Sequence, residues 1–535
     1  MSNRLFKFFN GIFLLLSKPF NKEIRFFIIT FLMSAIVDVV GFTQFESFPK
    51  AIFIALHHYV ICYIFTLILC VLPKSISFFY KYFIYAALCI NFLIDIVCVY
   101  SFHFTFDQEI PAILIGTNGS EAIEFIETFV PFKLVLIIIL SLTLFYYLNR
   151  FLYRQNININ NKAYMLLLVV VLGIVSFVFV SAKNFGNVSV TKISTFLKAT
   201  TPPDLSKYFV NPRLVDTTGN KPKNVVMIIG ESFSKKHSSL YGYEKLTNPY
   251  LQTLVDDSLL YVFEDISSPE TGTIPVFKCL MSTYKPEFEE NVKWYECLTL
   301  QEVLKKSGYY TFWISNQSKK GIYDNIVSKY ALLCNDNSFV GNKFSGIRRG
   351  DLDELIVDTL KYYKKNVFKD TLQFTFVHLM GSHSDFSSRY PSKFAKYTSD
   401  DYKNKIESQR KILSEYDNSI LYNDSVVYEI INQYKNDESI ILYFPDHSID
   451  VFDSRDDYVG HAIHNSLISI EVSTQIPFMI YMSKKYQEKY PENKRRIINS
   501  INKKFRTDDI IYTIMDIIGV EFEDNDDVVK YSLFR

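Results

Sequence analysis

The sequence predicts two different structural parts: an α-helical membrane domain with five transmembrane helices, and an external α/β domain with a mainly parallel sheet. Two observations lead to this fold class. Apolar residues make up 49% of the 535-residue chain and are concentrated in its first 182 positions. From residue 224 onward, short apolar runs that suit buried strands alternate with candidate helices. Such alternation is typical of a parallel sheet covered on both faces.

Five segments of the first part are long and apolar enough to cross a bilayer. They are residues 26–42, 51–72, 78–100, 132–148 and 163–182. An alternative is that residues 5–16 form a signal peptide. This is disfavoured, because no small-residue cleavage site follows them and further spans do.

The distribution of charge gives the orientation. Basic residues precede the first span and occupy the loops after the second and fourth spans, whereas residues 102–131 contain no lysine or arginine. The positive-inside rule therefore places the amino terminus in the cytoplasm, and an odd number of spans places the residues after 182 outside. We accordingly predict a transmembrane domain at 1–182, a linker with bridging helices at 183–223 and an external domain at 224–535.

Charge and cysteine content restrict the function further. The formal net charge is +1, whereas a nucleic-acid-binding protein would show a basic bias. Four cysteines fall in spans, where thiols behave as small hydrophobes. The three external ones, Cys279, Cys297 and Cys334, allow one disulfide and one free thiol in an oxidising compartment, with the pairing left open.

Apolar runs predict the strands of the external domain. They lie at residues 225–229, 259–263, 311–314, 372–377, 440–444 and 478–482. Helices are expected between them, at residues 298–307, 351–363 and 419–434.

Two of these strands end in residues that bind metals. The run at 225–229 is followed by Gly230 and Glu231, and the run at 440–444 is followed by Pro445, Asp446 and His447. Open α/β sheets place their chemistry at the carboxyl ends of strands. Carboxylates with histidine form a ligand set that suits zinc. Taken alone, a carboxylate after a strand, such as Glu231, is more often a helix cap or part of a solvated turn.

Further histidines follow or precede strand-like runs. His378 and His383 come after residues 372–377, and His461 and His464 precede the last predicted strand. Gathered around Asp446 and Glu231 they would form a metal site. Scattered over loops they would be single hydrogen-bonded histidines.

Thr273 is the candidate nucleophile. It lies in the string Thr-Gly-Thr-Ile-Pro at residues 271–275. A threonine hydroxyl needs a base or a metal to ionise it at neutral pH. The alternative role is to cap a helix through residues 277–282. The two roles are compatible, because a helix amino terminus stabilises an alkoxide and an attached phosphate.

Six strings of the external domain carry a resemblance to a known family. They are GESFSKKHSSLYGYEKLTNP at 230–249, SSPETGTIP at 267–275, WISNQ at 313–317, HLMGSH at 378–383, PDHSID at 445–450 and GH at 460–461. In order and spacing they resemble the alkaline phosphatase/sulfatase superfamily. Within it, the whole chain is similar to the membrane-anchored phosphoethanolamine transferases that modify bacterial surface glycans and lipid A. Five spans before an external catalytic domain is that family's layout.

The resemblance implies roles for individual residues. Glu231, Thr273, Asp446 and His447 would bind one zinc ion, and Thr273 would be the nucleophile that carries phosphoethanolamine. Thr271 competes with Thr273 for that role.

A second group of residues would surround this centre. His383 and His461 would bind a second zinc ion or the phosphoryl group, with His464 as a substitute for His461. Asn316 and Lys320 match positions that contact substrate phosphate, and Glu121 lies in an external loop where the family meets the lipid headgroup. The motif histidines His237 and His378 would support the structure.

The function implied by the resemblance is transfer of phosphoethanolamine from phosphatidylethanolamine to lipopolysaccharide core, lipid A or another surface glycan. A covalent phospho-threonine intermediate would carry the group. The chain would be a multi-pass protein of the bacterial inner membrane with a periplasmic catalytic domain. Residues 269–273, PETGT, and Ser448 in place of the usual glycine look closer to members that act on core or other glycans. Alternatives are a lipoteichoic-acid-type glycerol-phosphate transferase, a hydrolase, and a catalytically inactive receptor with a sulfatase fold.

Overall fold

The computed structural model of the protein describes residues 2–45, 48–101, 130, 132–154, 169–171, 173, 205–285, 287, 292–317, 326–342, 352–368, 371–456, 459–461 and 467–535. The chain forms two compact units. One consists of Met1–Ile115 with Phe125–Thr200, and the other of Gly116–Glu124 with Thr201–Arg535.

The described part of the first unit is helical. Its helices are α1 (Ser2–Lys22), α2 (Ile24–Phe45), α3 (Phe48–Val71), α4 (Lys74–Ser101) and α5 (Phe132–Arg154). Four of the described helices, α2 to α5, are long and apolar enough to cross a membrane, which confirms four predicted spans. The predicted fifth span, 163–182, lies outside the described residues except for positions 169–171 and 173.

A buried polar pair joins two of these helices. His58 Nε2 of α3 lies 2.9 Å from Asp38 Oδ2 of α2, and both side chains are almost fully buried. Polar groups inside a membrane bundle are costly unless they pair with each other. The contact therefore fixes how α2 and α3 pack.

The second unit contains thirteen described strands. They are β1 (Leu214–Asp216), β2 (Asn224–Gly230), β3 (Leu260–Phe263), β4 (Asp265–Ser267), β5 (Tyr310–Ser315), β6 (Asp336–Phe339), β7 (Gln373–His378), β8 (Ser439–Pro445), β9 (Asp450–Val451), β10 (Val459–Gly460), β11 (Phe478–Met482), β12 (Lys504–Arg506) and β13 (Val520–Phe522). Seven form the central sheet, in the order β3-β11-β8-β2-β7-β5-β6. The neighbours from β8 to β6 are parallel and only β11 runs antiparallel to its neighbours, so the predicted mainly parallel sheet is confirmed.

Helices cover both faces of this sheet. They are α6 (Pro249–Asp256), α7 (Thr273–Leu280), α8 (Leu300–Lys306), α9 (Ile326–Leu332), α10 (Glu354–Asn366), α11 (Glu407–Asn432), α12 (Leu467–Thr474), α13 (Lys484–Lys489), α14 (Pro491–Asn499), α15 (Ile510–Ile517) and α16 (Asp527–Tyr531). Alternate side chains of β2 enter different cores. Val225 and Met227 belong to one hydrophobic cluster, and Val226 and Ile228 to the other.

The structure also corrects details of the sequence prediction. Helix α11 begins at Glu407, twelve residues before the predicted start at residue 419, because buried polar residues such as Gln409 and Asp417 hide its apolar period. Strand β6 had not been predicted, since Asp336–Phe339 is only half-buried and lacks an apolar run. The seven cysteines of the chain, all among the described residues, are free thiols.

Candidate active site

Three adjacent parallel strands bring the candidate residues to one edge of the sheet. In the register of β2 and β8, Gly230 lies opposite Pro445, so Glu231 and Asp446 follow at the same level. The Asp446 N–H donates to the carbonyl of Gly230 at 3.1 Å, which continues the ladder one step further. On the other side of β2, Ile229 lies opposite His378, the last residue of β7.

Glu231 is buried and surrounded by donors. Its Oε1 accepts from Ser232 Oγ at 2.9 Å, and its Oε2 accepts from Gln317 Nε2 at 3.2 Å. Burial alone would raise the pKa of Glu231, but the charge and hydrogen bond of His447, together with His383 and His461, outweigh burial and hold the pKa well below its usual range. Its Oε1 lies 3.2 Å from His447 Nε2. Glu231 is therefore a carboxylate in the folded protein.

Asp446 is a second buried carboxyl group beside the first. Its Oδ1 accepts from the His447 N–H at 2.8 Å. Its Oδ2 lies 3.4 Å from His447 Nε2 and accepts no hydrogen bond from any residue that the structure describes. Burial and the neighbouring Glu231 raise the pKa of Asp446 to about 7. A buried carboxylate oxygen without a donor is costly, and a cation would remove that cost.

Glu231, Asp446 and His447 are close enough to share one metal ion. Each offers a ligand atom, and these three atoms lie within 4.8 Å of one another. Burial alone would lower the pKa of His447, but Asp446 and Glu231 raise it to about 9. Among the described residues, the His447 imidazole thus lies against two carboxyl groups and offsets part of their negative charge.

Thr273 lies against this group. Its Oγ1 is 3.3 Å from Glu231 Oε2 and 3.2 Å from His447 Nε2. The structure corrects the predicted capping role: Thr273 is the first residue of α7, Gly272 occupies the N-cap position, and no side chain caps the described helix. The Thr273 hydroxyl is consequently directed to the carboxylates rather than to its own helix.

Two histidines of the site, His447 and His461, lie near the same backbone carbonyl. The rings of His447 and His461 are 4.4 Å apart at 76°. The Nδ1 atoms of both lie near the carbonyl oxygen of Ser448, at 3.0 Å for His447 and 3.2 Å for His461. An imidazole that donates from Nδ1 in its neutral form carries its lone pair on Nε2. Burial lowers the pKa of His461 to about 3, which keeps that ring neutral.

The remaining predicted histidines have different surroundings. Burial lowers the pKa of His383 to about 4, which keeps this ring neutral, and its Nδ1 lies 3.3 Å from Ser384 Oγ. His378 is fully buried, and its Nδ1 lies 3.1 Å from Ser315 Oγ. Its ring packs 5.2 Å from that of Phe277. His378 thus packs at the carboxyl end of β7, next to the end of β5 and the start of α7.

His237 belongs to a buried network behind the site. Its Nδ1 lies 2.7 Å from Asp417 Oδ1 on α11. The hydroxyl groups of Tyr243 and Tyr402 donate to Asp417 Oδ2. This network ties the GESF string that carries Glu231 to helix α11, which is a structural role.

The predicted substrate-contact residues stay predictions. Asn316 follows strand β5 and donates from Nδ2 to Asp353 Oδ1 at 2.9 Å. The next residue, Gln317, contacts Glu231, and sequence reasoning missed it although it ends the WISNQ string. Glu121, Lys320 and His464 lie outside the described residues.

The sequence of the chain is similar to those of known proteins. The Sulfatase family model matches residues 223–520, more than half of the chain. The chain is 27% identical over 321 residues to phosphoethanolamine transferase EptC of Escherichia coli K12, covering 58% of this chain and 53% of EptC. It is 25% identical over 332 residues to phosphoethanolamine transferase EptA of the same strain, covering 58% and 56%. The chain thus spans about half the length of the curated relatives that it matches.

Two solved structures resemble the protein. The C-terminal periplasmic domain of E. coli EptC in complex with Zn is 25% identical, with a TM-score of 0.54, and covers 63% of this chain and 90% of that one. Lipooligosaccharide phosphoethanolamine transferase A (EptA) of Neisseria meningitidis, an integral membrane protein, is 17% identical with a TM-score of 0.66. It covers 98% of this chain and 96% of that one, and at this identity it shows a shared fold.

Proposed function

This chain belongs to the sulfatase family, and on that premise we propose that it transfers phosphoethanolamine from phosphatidylethanolamine to a surface glycan or glycolipid of the lipopolysaccharide core or lipid A type. The observation that carries the proposal is the position of Thr273, whose hydroxyl lies 3.3 Å from Glu231 and 3.2 Å from His447. Relatives named phosphoethanolamine transferases support the choice of transferred group. The acceptor class rests on the motif resemblance.

The donor set fits zinc. Glu231, Asp446, His447 and the Thr273 hydroxyl supply oxygen and imidazole ligands of the kind that zinc takes. A cation would also be a partner for Asp446 Oδ2, which accepts no hydrogen bond from a described residue. The related EptC domain has been solved with Zn. Zinc bound there would lower the pKa of the Thr273 hydroxyl and neutralise charge on the phosphoryl group.

The chain's own residues then carry out the chemistry. Thr273 Oγ1 loses its proton and forms a bond to the phosphorus of phosphatidylethanolamine, and the bond from phosphorus to the diacylglycerol oxygen breaks. Phosphoethanolamine stays on Thr273, and the diacylglycerol oxygen takes up a proton as it leaves. An acceptor hydroxyl, which gives up its proton, or an acceptor phosphate then attacks the same phosphorus. The bond from phosphorus to Thr273 Oγ1 breaks, and protonation restores the Thr273 hydroxyl. Transfers of this type depend mainly on positioning and charge neutralisation.

His383 and His461 extend the site. Both rings are held neutral by burial, which leaves lone pairs for a cation or N–H groups for a phosphate oxygen. We assign them to a second zinc ion or to the transferred phosphoryl group. Lys320 and Glu121 remain predicted substrate contacts.

The proposed location follows from the orientation predicted by charge. Four described helices are able to cross a membrane, and the matched EptC domain is described as periplasmic. We place the chain in the bacterial inner membrane as a multi-pass protein, with residues 224–535 in the periplasm. This arrangement gives the enzyme access to a donor that is itself a bilayer lipid.

Intact-mass spectrometry tests the proposal. The purified full chain, loaded with zinc and incubated with phosphatidylethanolamine vesicles, should gain the mass of one phosphoethanolamine group. Thr273→Ala should gain none, and Thr271→Ala serves as the matched control that keeps the adduct. An adduct that persists in Thr273→Ala would overturn the assignment of the nucleophile. Its absence from zinc-loaded wild type would overturn the donor, and phosphatidylglycerol vesicles would then test the glycerol-phosphate alternative.

A further inference from the structure

We propose that Asp353 is a positioning residue that sets the geometry around Glu231, acting together with Arg389 on the loop that carries His383. The inference rests on the proposed role of Glu231 as a metal ligand. Asp353 and Arg389 lie outside the six motif strings of the external domain.

Asp353 has an unusual environment for its position in the fold. It precedes α10 at the N-cap position, where aspartate normally accepts from the helix's own N–H groups. None of the described N–H groups of α10 donates to its side chain. The carboxylate, only 4% exposed, accepts instead from the Met380 N–H and from the Gly381 N–H, both at 2.9 Å. Its donors therefore come from the loop after β7 and not from α10.

That loop presses against Glu231. Gly381 has a φ of +54°, and a Cβ built there would lie 2.8 Å from both the backbone nitrogen and the carbonyl oxygen of Glu231. The Ser382 N–H donates to the Glu231 carbonyl at 3.0 Å. By holding the Met380 and Gly381 N–H groups, Asp353 keeps the turn in the conformation that allows this close approach.

Arg389 holds the far end of the same loop. Its guanidinium donates from Nη2 to the Ser384 carbonyl at 2.8 Å and from Nε to the His383 carbonyl at 3.3 Å. Its side chain is 4% exposed. Two buried charged side chains thus hold the loop that carries His383. Asp353 accepts from N–H groups before His383, and Arg389 donates to the carbonyls of His383 and Ser384.

Asp353 also reaches Glu231 by a second route. Its Oδ1 accepts from Asn316 Nδ2 at 2.9 Å, which fixes the end of strand β5. The next residue, Gln317, donates from Nε2 to Glu231 Oε2 at 3.2 Å. One buried carboxylate therefore supports both the backbone behind Glu231 and a donor to its side chain.

The protein contains a matched control for this arrangement. Asp424 on α11 is a buried carboxylate that accepts from two backbone N–H groups and from one asparagine amide, as Asp353 does. Its donors are Tyr250 N at 2.7 Å, Leu251 N at 3.3 Å and Asn248 Nδ2 at 3.4 Å. These donors belong to the entrance of α6 and do not touch Glu231 in the described contacts. Replacing Asp424 removes the same chemistry without the same neighbours.

The test compares Asp353→Asn with Asp424→Asn in the full chain. Zinc affinity is measured by competition with a chromophoric chelator, and thermal unfolding is followed in the metal-free protein. We expect both variants to lower the unfolding temperature, and only Asp353→Asn to weaken zinc binding, by about tenfold or more, as is usual when a group supporting a metal ligand is changed. Equal zinc affinities for the two variants would overturn the proposal.

Arg389→Lys keeps the test decisive if Asp353→Asn does not fold. Lysine retains the charge but lacks the planar guanidinium fork whose Nε and Nη2 donate to the two carbonyls. It should weaken zinc binding in the same direction, and unchanged zinc affinity in a folded Arg389→Lys protein would also overturn the proposal. Zinc affinity is independent of the donor lipid. A wild type that binds zinc but forms no phosphoethanolamine adduct would therefore contradict the proposed function and leave this inference standing.

Discussion

His447 Nε2 lies 3.2 Å from Thr273 Oγ1 and also 3.2 Å from Glu231 Oε1, so one ring nitrogen faces both the candidate nucleophile and a candidate ligand. The contact joins the end of β8 to the start of α7, two parts of the chain separated by 174 positions. The chemistry of the site depends on this meeting of strand end and helix start.

The proposed transfer requires the hydroxyl group of Thr273. Thr273→Val keeps the shape and removes the hydroxyl, and we expect steady-state transfer to fall by about 10³-fold or more. Thr273→Ser keeps the hydroxyl and should retain measurable transfer. Transfer by the valine variant at the rate of the serine variant would show that the nucleophile lies elsewhere.

We expect Asp446 to lower the unfolding free energy of the metal-free protein. Burial and Glu231 raise the pKa of its carboxyl group to about 7, so near neutral pH the pair holds unfavourable charge. Asp446→Asn removes that charge and should stabilise the metal-free protein by on the order of 1 kcal/mol, while zinc affinity falls by more than about 100-fold. Urea unfolding in a chelating buffer and a zinc competition titration measure the two effects. A destabilised metal-free variant would contradict the argument.

His237 links stability to pH. Burial alone would lower its pKa, but Asp417 raises it from 6.5 to about 10. A histidine with a raised folded pKa contributes stability that is full below the unfolded pKa and is lost as the pH rises through the folded value. We expect the urea midpoint of wild type to fall between about pH 6.5 and pH 10. His237→Gln should lose most of that dependence, and an identical pH profile in both proteins would refute the prediction.

Gly381 is expected to tolerate no side chain. Gly381→Ala would place a Cβ 2.8 Å from the backbone of Glu231 as well as in a left-handed conformation, at φ +54°. Gly242, with φ +90°, is the matched control, since a Cβ there meets no described heavy atom within 4 Å. Gly242→Ala should cost about 1 kcal/mol in backbone strain. Gly381→Ala should cost at least about 2 kcal/mol more and reduce zinc binding. Equal unfolding free energies would show that the loop moves freely.

Much of the fold was accessible from sequence because the central strands are continuous apolar runs. Strands β2, β7, β8 and β11 were predicted within a residue or two, and their ends brought Glu231 together with Asp446 and His447. Edge strand β6 was not predicted, since its half-buried residues form no continuous apolar run.

The contacts that depend on strand order were not predictable. Gln317 reaches Glu231 because β5 lies next to β7, which lies next to β2. Asp353 reaches Met380 and Gly381 because the start of α10 meets the end of β7. No local sequence pattern predicts either of these contacts. For Thr273, the residue types allowed both a cap and a nucleophile. The helix boundary at Gly272 excludes the cap, and the nucleophile stays a prediction.

The shared acceptor at Ser448 has a consequence for mutational tolerance. The Nδ1 atoms of His447 and His461 are both oriented by one main-chain carbonyl, and the Ser448 hydroxyl contacts no described hydrogen-bond partner. Glycine at this position would present the same carbonyl to both rings. The two imidazoles therefore depend on the path of the backbone, and replacing the fully buried Ser448 by glycine should leave both contacts in place.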